Sequence, residues 1–137
     1  MLIETLDARD DAAMRAWHHT FLASHRHGRP HATPLMREEL QARFVARHGA
    51  TRHLAYSGHV DGAVVAVGMC YLSMRDNLDQ AYVEVQVHPG HRRRGHGSAM
   101  MAHLEHVAAD SGRRVLLGEV SYPYAAPVDG AGTPDVE

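Results

Sequence analysis

The sequence predicts a single α/β domain over residues 1–137, with a mixed, mostly antiparallel sheet and one β-α-β crossover. Three observations support this fold class. The predicted elements follow the order β-α-α-β-β-β-α-β. The dipeptide Asp61-Gly62 lies between two apolar runs, which is a signal for a β-hairpin. The alternating strand Gln80–Val87 precedes a glycine-containing loop and a helical apolar stripe, as the first half of a crossover does.

Composition restricts the classes of partner. The net charge is −2, so no basic field favours binding to nucleic acid. The longest apolar run, Ala63–Cys70, is far too short to span a membrane. Cys70 is the only cysteine, which excludes an intramolecular disulfide. We therefore expect a cytoplasmic protein whose partners include neither nucleic acid nor a membrane.

The N-terminal half predicts one strand and two helices. Leu2–Leu6 is the first strand, and Asp10 is the expected N-cap of the first helix. The apolar stripe of that helix comprises Ala13, Met14, Trp17, Phe21 and Leu22. A polar loop over residues 25–30 follows. Thr33-Pro34 is typical of an N-cap and a first-turn proline, and so predicts a second helix that begins at Pro34 and ends before Gly49.

The C-terminal half predicts four strands and one long helix. The elements are, in order, strands Thr51–Gly58, Ala63–Leu72 and Gln80–Val87, a helix from Gly95 to about Ser111, and a last strand at Val115–Val120. The second of these strands is apolar almost throughout, which predicts burial on both of its faces. Thr133-Pro134 again has the pattern of a helix start, close to the end of the sequence.

The loop between the third of these strands and the long helix predicts an anion site. Arg92, Arg93 and Arg94 lead into Gly95-His96-Gly97 and the start of the helix. Backbone N–H groups at a helix start lack partners within the helix, and the helix dipole is positive there. The two glycines let a phosphate approach the backbone because no Cβ stands in the way. Neither a dinucleotide-binding G-x-G-x-x-G nor a P-loop fits these residues.

The run Arg92 to Gly97, which follows Val87-His88-Pro89, resembles motif A of the GNAT family of N-acetyltransferases. The order of the predicted elements is also similar to the first two-thirds of that fold. The resemblance implies an acyl-CoA N-acyltransferase-like architecture, with acetyl-CoA as co-substrate in a V-shaped opening beside the motif strand. It implies that the following residues bind acetyl-CoA: Val85, Gln86, Val87, Arg92, Arg93, Arg94, Gly95, His96, Gly97 and Ser98. A different interpretation of the arginines is a solvated surface loop.

The resemblance also implies the reaction, which is direct transfer of an acetyl group to a primary amine of a small molecule or peptide. The amine must lose a proton, and this requires a base or an ordered water. Glu84 lies on the motif strand and points to the face opposite the valines, so it is the candidate catalytic base. An alternative role for Glu84 is a sheet carboxylate that pairs with a neighbour. Both interpretations remain open at this point.

Thirteen histidines are unusual in a chain of this length. Three of them form the pattern H-x-H-x-x-x-H at His25, His27 and His31. Neutral imidazoles bind zinc or nickel, but this loop-like segment has no cysteine and no acidic ligand close by. We therefore predict no metal site, and the resemblance to the family suggests that these histidines line an acceptor pocket.

The helix and strands that complete the family fold are absent from this sequence, so we expect a C-terminally truncated domain. The tyrosine that often serves as general acid in the family would lie in that absent part, and Tyr122 and Tyr124 are expected to pack or form a turn. We expect weak or no turnover by the isolated chain, and either a homodimer or association with the missing C-terminal elements. The alternative functions are a non-catalytic module that binds CoA or a partner, and a fragment of a larger tandem acetyltransferase.

Overall fold

Residues 1–46 and 49–118, which are described by a computed structural model, form a five-stranded sheet with helices on both faces. The elements, in chain order, are β1 (Leu2–Thr5), α1 (Asp11–Arg26), α2 (Arg37–Val45), β2 (Thr51–Val60), β3 (Ala63–Ser73), β4 (Gln80–Val87), a 3₁₀ turn (Pro89–His91), α3 (His96–Asp110) and β5 (Val115–Gly118). The predicted element order is confirmed. The predicted single-domain boundary at residues 1–137 stays a prediction.

The five strands lie in the order β1-β2-β3-β4-β5. The first four pair antiparallel with their neighbours, whereas β5 pairs parallel to β4 from Gln80↔Val115 to Val83↔Gly118. A parallel pair needs a crossover connection, and α3 supplies it. The predicted mixed sheet with one β-α-β crossover is therefore confirmed.

The hairpin between β2 and β3 closes through two residues. Val60 pairs with Ala63, and the turn residues Asp61 and Gly62 both have positive φ angles, 50° and 81°. Two positive φ angles match the right-handed twist of the strands that flank such a turn. Because the turn is this tight, β2 continues to Val60, two residues beyond the prediction. The central part of β3 is buried on both faces, as predicted.

Two apolar cores lie on opposite faces of the sheet. On one face, α3 packs against the strands, and the buried side chains include Val65, Val83, Val87, Met100 and Leu104. On the other face, α1 and α2 cover Ala55, Val67 and Met69 with Met14, Trp17, Phe21 and Leu40. The predicted N-cap is confirmed, since Oδ1 of Asp10 accepts hydrogen bonds from the N–H groups of Ala12 and Ala13.

The predicted start of the second helix is wrong by three residues. Helix α2 begins at Arg37 rather than Pro34, and its N-cap is Met36, which makes no side-chain capping bond. The buried imidazole of His18 explains the difference, because its Nε2 lies 3.0 Å from the carbonyl oxygen of Leu35. A carbonyl held toward α1 in this way is not available as an acceptor within a longer α2.

The described part of β5 is exposed. Val115, Leu116 and Leu117 retain 39%, 42% and 46% of their accessible surface, which is unusual for three consecutive aliphatic residues of a sheet. Residues 119–137 lie outside the described residues, and so do the predicted end of this strand at Val120 and the predicted helix start at Thr133-Pro134. Association of the chain, either as a homodimer or with further C-terminal elements, stays a prediction.

The helices of the described ranges are short or polar relative to a membrane span. None within residues 1–46 and 49–118 is long and apolar enough to cross a membrane.

The close approach of α3 to β3 at Gly68 yields a stability prediction. A Cβ at Gly68 would lie 2.7 Å from Sδ and 2.9 Å from Cγ of Met100, a side chain that is fully buried. The substitution Gly68→Val therefore forces Met100 or α3 to move, and we expect the free energy of unfolding to fall by about 1–3 kcal/mol. Chemical denaturation measures this change. Gly90→Ala is the matched control, because a Cβ at Gly90 meets its nearest neighbour, His88 Nδ1, at 3.4 Å. Equal stability of the two variants would contradict the close approach.

Candidate functional site

The loop between β4 and α3 contains two residues with a left-handed backbone conformation. Arg93 has a φ angle of 62° and Gly95, the N-cap of α3, has a φ angle of 83°. Left-handed residues that alternate with right-handed ones turn successive N–H groups to one side and form an anion-binding concavity. A positive φ is unusual for a non-glycine residue such as Arg93 and is a feature of functional loops. No acidic residue lies in the first turn of α3, so its positive dipole is not offset there.

The three arginine side chains of this loop differ in their surroundings. Arg92 is directed back onto the protein, where its Nη2 donates to Ser24 Oγ at 3.1 Å and its Nε donates to the Val87 carbonyl at 3.4 Å. Arg93 and Arg94 are exposed, and Nη1 of Arg94 lies 3.4 Å from His91 Nδ1. Arg93 and Arg94 therefore place two charges at the surface of the loop, while Arg92 fixes the loop to α1.

His88 stabilises the 3₁₀ turn before the loop. Its Nδ1 accepts a hydrogen bond from the Gly90 N–H at 3.1 Å. Burial and the positive charge of nearby His91 hold the pKa of His88 below its usual range. His88 is therefore a neutral acceptor near pH 7, as this capping bond requires.

The backbone of β4 presents alternate residues to its two neighbouring strands. The His88 N–H donates to the Val65 carbonyl at 2.8 Å, in the register that pairs Val87 with Ala66. Because bonded and non-bonded pairs alternate along an antiparallel ladder, the N–H and C=O groups of Val85 and Val87 point away from β3. They face the side on which β5 lies, beyond the last described pair, Val83↔Gly118.

Glu84 and Gln86 project to the opposite face of β4, toward α1, where they belong to a polar network. Arg92 donates to Ser24 Oγ, and Ser24 Oγ donates to Gln86 Oε1 at 2.5 Å. Gln86 Nε2 donates to Glu84 Oε2 at 3.2 Å. Nε2 of His25 lies 3.3 Å from the same carboxylate oxygen. These hydrogen bonds connect the loop between β4 and α3 to Glu84, the candidate base. They also show that Glu84 points away from the face of the valines.

Sequence reasoning missed Ser24 as a site residue, and it placed His25 in a loop rather than against Glu84. The predicted loop at residues 25–30 begins too early, since α1 continues to Arg26 and His25 lies in its last turn. The side chains of Ser24 and His25 bind β4, and this contact holds the last turn in helical form. The signal was present in the sequence: the helical stripe reaches Ser24 and His25 three and four residues after Phe21.

The other two histidines of the H-x-H-x-x-x-H pattern do not lie with His25. His27 caps the C-terminus of α1, and both His27 and His31 are exposed. Among residues 1–46 and 49–118, no group of three or more histidine, cysteine, aspartate or glutamate side chains is arranged to hold a metal ion.

Aromatic side chains lie beside Glu84 on the same face of the sheet. Tyr82 stacks on Tyr71, with ring centroids 5.7 Å apart and an interplanar angle of 14°. Burial, assisted by the negative charge of Glu84, raises the pKa of Tyr71 to about 12. Tyr71 is therefore a neutral phenol across the physiological range.

The one thiol of the chain lies in the core. Cys70 is fully buried within the core beneath α3, and burial raises the pKa of its thiol to about 11. A protonated and inaccessible thiol is neither a nucleophile nor an acyl carrier. Cys70 is therefore a core residue.

The sheet order, the crossover and the loop before α3 together define an acyltransferase-type α/β domain. A model of the acetyltransferase (GNAT) family matches residues 11–126. The match covers most of the chain, so this chain belongs to the acetyltransferase (GNAT) family. The predicted family and fold class are thereby confirmed.

Two curated relatives are mycothiol acetyltransferases. The protein from Kineococcus radiotolerans is 40% identical over 68 residues, which are 50% of this chain and 22% of the relative. The protein from Saccharomonospora viridis is 37% identical over 76 residues, which are 55% of this chain and 24% of the relative. The aligned part of this chain thus spans less than a quarter of the length of either relative.

Solved structures show the same fold. A tandem GNAT protein from the clavulanic acid biosynthesis pathway has a TM-score of 0.73 and 28% identity, over 93% of this chain and 39% of that chain. An aminoglycoside acetyltransferase from an uncultured soil metagenomic sample, in complex with sisomicin, has a TM-score of 0.67 and 15% identity, over 88% of this chain and 77% of that chain. The ribosomal-protein-alanine N-acetyltransferase of Brucella melitensis has a TM-score of 0.62 and 22% identity, over 96% and 86% of the two chains.

The burial of Cys70 yields a prediction about its reactivity. With a pKa near 11 instead of 9.0, the thiolate fraction at about pH 8 falls about 100-fold, and the folded chain also blocks access. We expect an aromatic disulfide reagent to react with the folded protein at least about 100-fold more slowly than with the denatured chain. The denatured chain is the internal control, since it contains the same single thiol.

The raised pKa of the Cys70 thiol also makes the stability of the fold depend on pH. Because the folded state holds the thiol proton more tightly, this stabilisation is complete below pH 9.0 and is lost as the pH rises toward 11.

For the reactivity prediction, rapid reaction of the folded protein with the disulfide reagent near neutral pH would contradict the buried position of Cys70.

Proposed function

We propose that this chain transfers an acetyl group from acetyl-CoA to a primary amine by direct attack of the amine on the thioester. The observation that carries the proposal is the loop from Arg92 to Ser98, with its left-handed residues and its position at the start of α3. Membership of the acetyltransferase family supports the reaction class. A solved neighbour of the same fold is an aminoglycoside 6'-N-acetyltransferase complexed with coenzyme A, with a TM-score of 0.64 and 13% identity.

In this proposal the pyrophosphate of acetyl-CoA binds the backbone from Arg92 to Gly97, which includes His96, and reaches as far as Ser98. Arg93 and Arg94 add screened attraction to the phosphates. The pantetheine arm pairs with the backbone of Val85 and Val87, whose polar groups point away from β3. Gln86 lies between these two residues on β4 and so belongs to the strand that pairs with the pantetheine arm. Its side chain binds Ser24 of α1.

Glu84 is the proposed base. The ammonium form of the acceptor loses a proton to the Glu84 carboxylate, directly or through a water. The free amine then attacks the thioester carbon, a C–N bond forms, and the C–S bond breaks with its electron pair on sulfur. The nitrogen loses its second proton, and the CoA sulfur leaves as the thiol. The stacked rings of Tyr71 and Tyr82 lie next to Glu84 and form one wall for the acceptor, because an ammonium group binds favourably to aromatic faces.

The acceptor is proposed to be an amine of a small molecule or a peptide. The names of the relatives include mycothiol, aminoglycosides and a ribosomal-protein alanine as acetylated groups. All are compatible with a carboxylate base beside an aromatic wall. A cytoplasmic location, which was expected above from the composition, stays a prediction.

A second candidate function is a module that binds CoA or a partner chain without turnover, including a module of a larger tandem acetyltransferase. Two observations favour it. This chain covers 39% of the tandem GNAT protein from the clavulanic acid pathway. The aliphatic side chains of β5 are also exposed at Val115, Leu116 and Leu117. Binding of acetyl-CoA without acetylation of any amine in a broad panel distinguishes this function from the first.

The proposed pyrophosphate site predicts a charge effect on binding. We expect Arg94→Glu to weaken acetyl-CoA binding about 3- to 10-fold, with a smaller effect at high salt, because the exposed guanidinium acts through screened attraction. Isothermal titration calorimetry measures the dissociation constant. Arg75→Glu is the matched control, because Arg75 is also exposed but lies in the turn between β3 and β4. Equal loss of affinity in both variants, or none in either, would argue against this site.

The proposed base predicts a loss of turnover without a loss of binding. We expect Glu84→Gln to lower kcat/KM about 10²- to 10⁴-fold, because the amide cannot accept the amine proton. Release of the CoA thiol is followed with an aminoglycoside, an alanine-terminated peptide and other primary amines as acceptors. Glu105→Gln on the exposed surface of α3 is the control. Full activity of the Glu84→Gln variant on a working acceptor would assign Glu84 a structural role.

A further inference from the structure

His25 contacts two polar groups of β4 through one ring nitrogen. Nε2 of His25 lies 3.3 Å from Glu84 Oε2 and also 3.3 Å from Gln86 Nε2. The side chains of His25 and Glu84 are 19% and 14% exposed, so both groups are largely removed from water. The same ring nitrogen therefore lies within reach of a carboxylate oxygen and of an amide NH₂ group.

This arrangement provides a partner for the ring nitrogen in both of its protonation states. When Nε2 carries a proton, it donates to Glu84 Oε2. When Nε2 is bare, it accepts from the NH₂ group of Gln86. A proton can therefore leave or reach Nε2 without stranding a buried polar atom, which would otherwise cost free energy. A purely structural hydrogen bond does not need this second partner.

Gln86 is held in place for this role by its other end. Its Oε1 accepts from Ser24 Oγ, which in turn accepts from Arg92 Nη2. Because Arg92 cannot lose its proton, the donor direction of this part of the network is fixed. Nε2 of Gln86 must then point toward Glu84 and His25.

We propose that His25 is the proton-transfer partner of Glu84, a proposal that rests on the acetyl-transfer function described above. Glu84 takes the proton of the acceptor ammonium and passes it to Nε2 of His25, whose neutral ring holds its own proton on Nδ1. His25 becomes an imidazolium and Glu84 regains its carboxylate form. The amine attacks the thioester and gives its second proton to the departing sulfur, so CoA leaves as the thiol. Nε2 of His25 then gives its proton to solvent, which restores the neutral ring with its proton on Nδ1.

The other titratable groups around His25 do not replace it in this role. Tyr71 of β3 faces Glu84, but it keeps its proton near neutral pH because burial raises its pKa to about 12. Arg43 of α2 lies close to Tyr71, and Arg92 reaches Ser24 beside His25. Both are permanent cations that neither accept nor release a proton. Among the described residues, His25 is thus the proton-accepting side chain within hydrogen-bond distance of Glu84.

The first test compares His25→Gln with His106→Gln, which replaces an exposed histidine of α3. Glutamine retains a donor for Glu84 but does not titrate. We expect His25→Gln to lower kcat/KM about 10²-fold at neutral pH and to change the shape of the pH–rate profile, because a coupled pair titrates as a unit. Acetyl-CoA affinity and the profile of His106→Gln should remain unchanged. A full rate in His25→Gln, or a lower rate with an unchanged profile, would overturn the proposal.

The second test needs no turnover and separates this proposal from the proposed function. Proton NMR follows the titration of the His25 ring in the original chain and in Glu84→Gln. Loss of the neighbouring negative charge should move the His25 titration to lower pH, since an opposite charge favours the imidazolium. An unchanged titration would overturn the coupling of His25 and Glu84 even if acetyl-CoA binds. Absence of acetyl-CoA binding together with a shifted titration would instead overturn the proposed function and leave the coupling intact.

Discussion

The contact on which the rest of the structure depends is the close packing of α3 against β3 at Gly68. The absence of a side chain at Gly68 lets Met100 and Leu104 lie directly on the strand. This contact, together with the parallel pairing of β4 and β5, fixes the start of α3 at the end of β4. The helix dipole, the left-handed residues Arg93 and Gly95, and the outward-facing backbone of β4 are thereby brought to one edge of the sheet. The proposed anion site rests on this backbone geometry.

The opposite face of β4 carries the groups proposed to transfer the proton. Because side chains alternate along a strand, the valines that pack under α3 require Glu84 and Gln86 to face α1. There they meet Ser24 and His25, and Arg92 connects the same network to the anion loop. One strand therefore serves both parts of the proposed reaction: its backbone faces the acyl donor, and its side chains face the proton of the acceptor.

The sequence predicts those features that depend on local chemistry. Asp61-Gly62 specifies its own turn, and the glycines before α3 specify a helix start that is open to an anion. The start of α2 was not predictable in this way, because the deciding contact joins Leu35 to His18 on another helix. The partners of Glu84 were also missed, since Ser24 and His25 lie about sixty residues earlier in the chain. Helical periodicity extended through His25 would have placed that side chain on the buried face of α1.

The central claim is that acetyl-CoA binds along β4 and at the start of α3. Two-dimensional amide NMR during titration with acetyl-CoA tests it most directly, because it reports each backbone N–H separately. The account predicts saturable shifts at Gly95, Gly97 and Ser98 and along Val85 and Val87, while the β2–β3 hairpin at Asp61-Gly62 stays unchanged. Saturable shifts confined to other elements, or none at all, would contradict it.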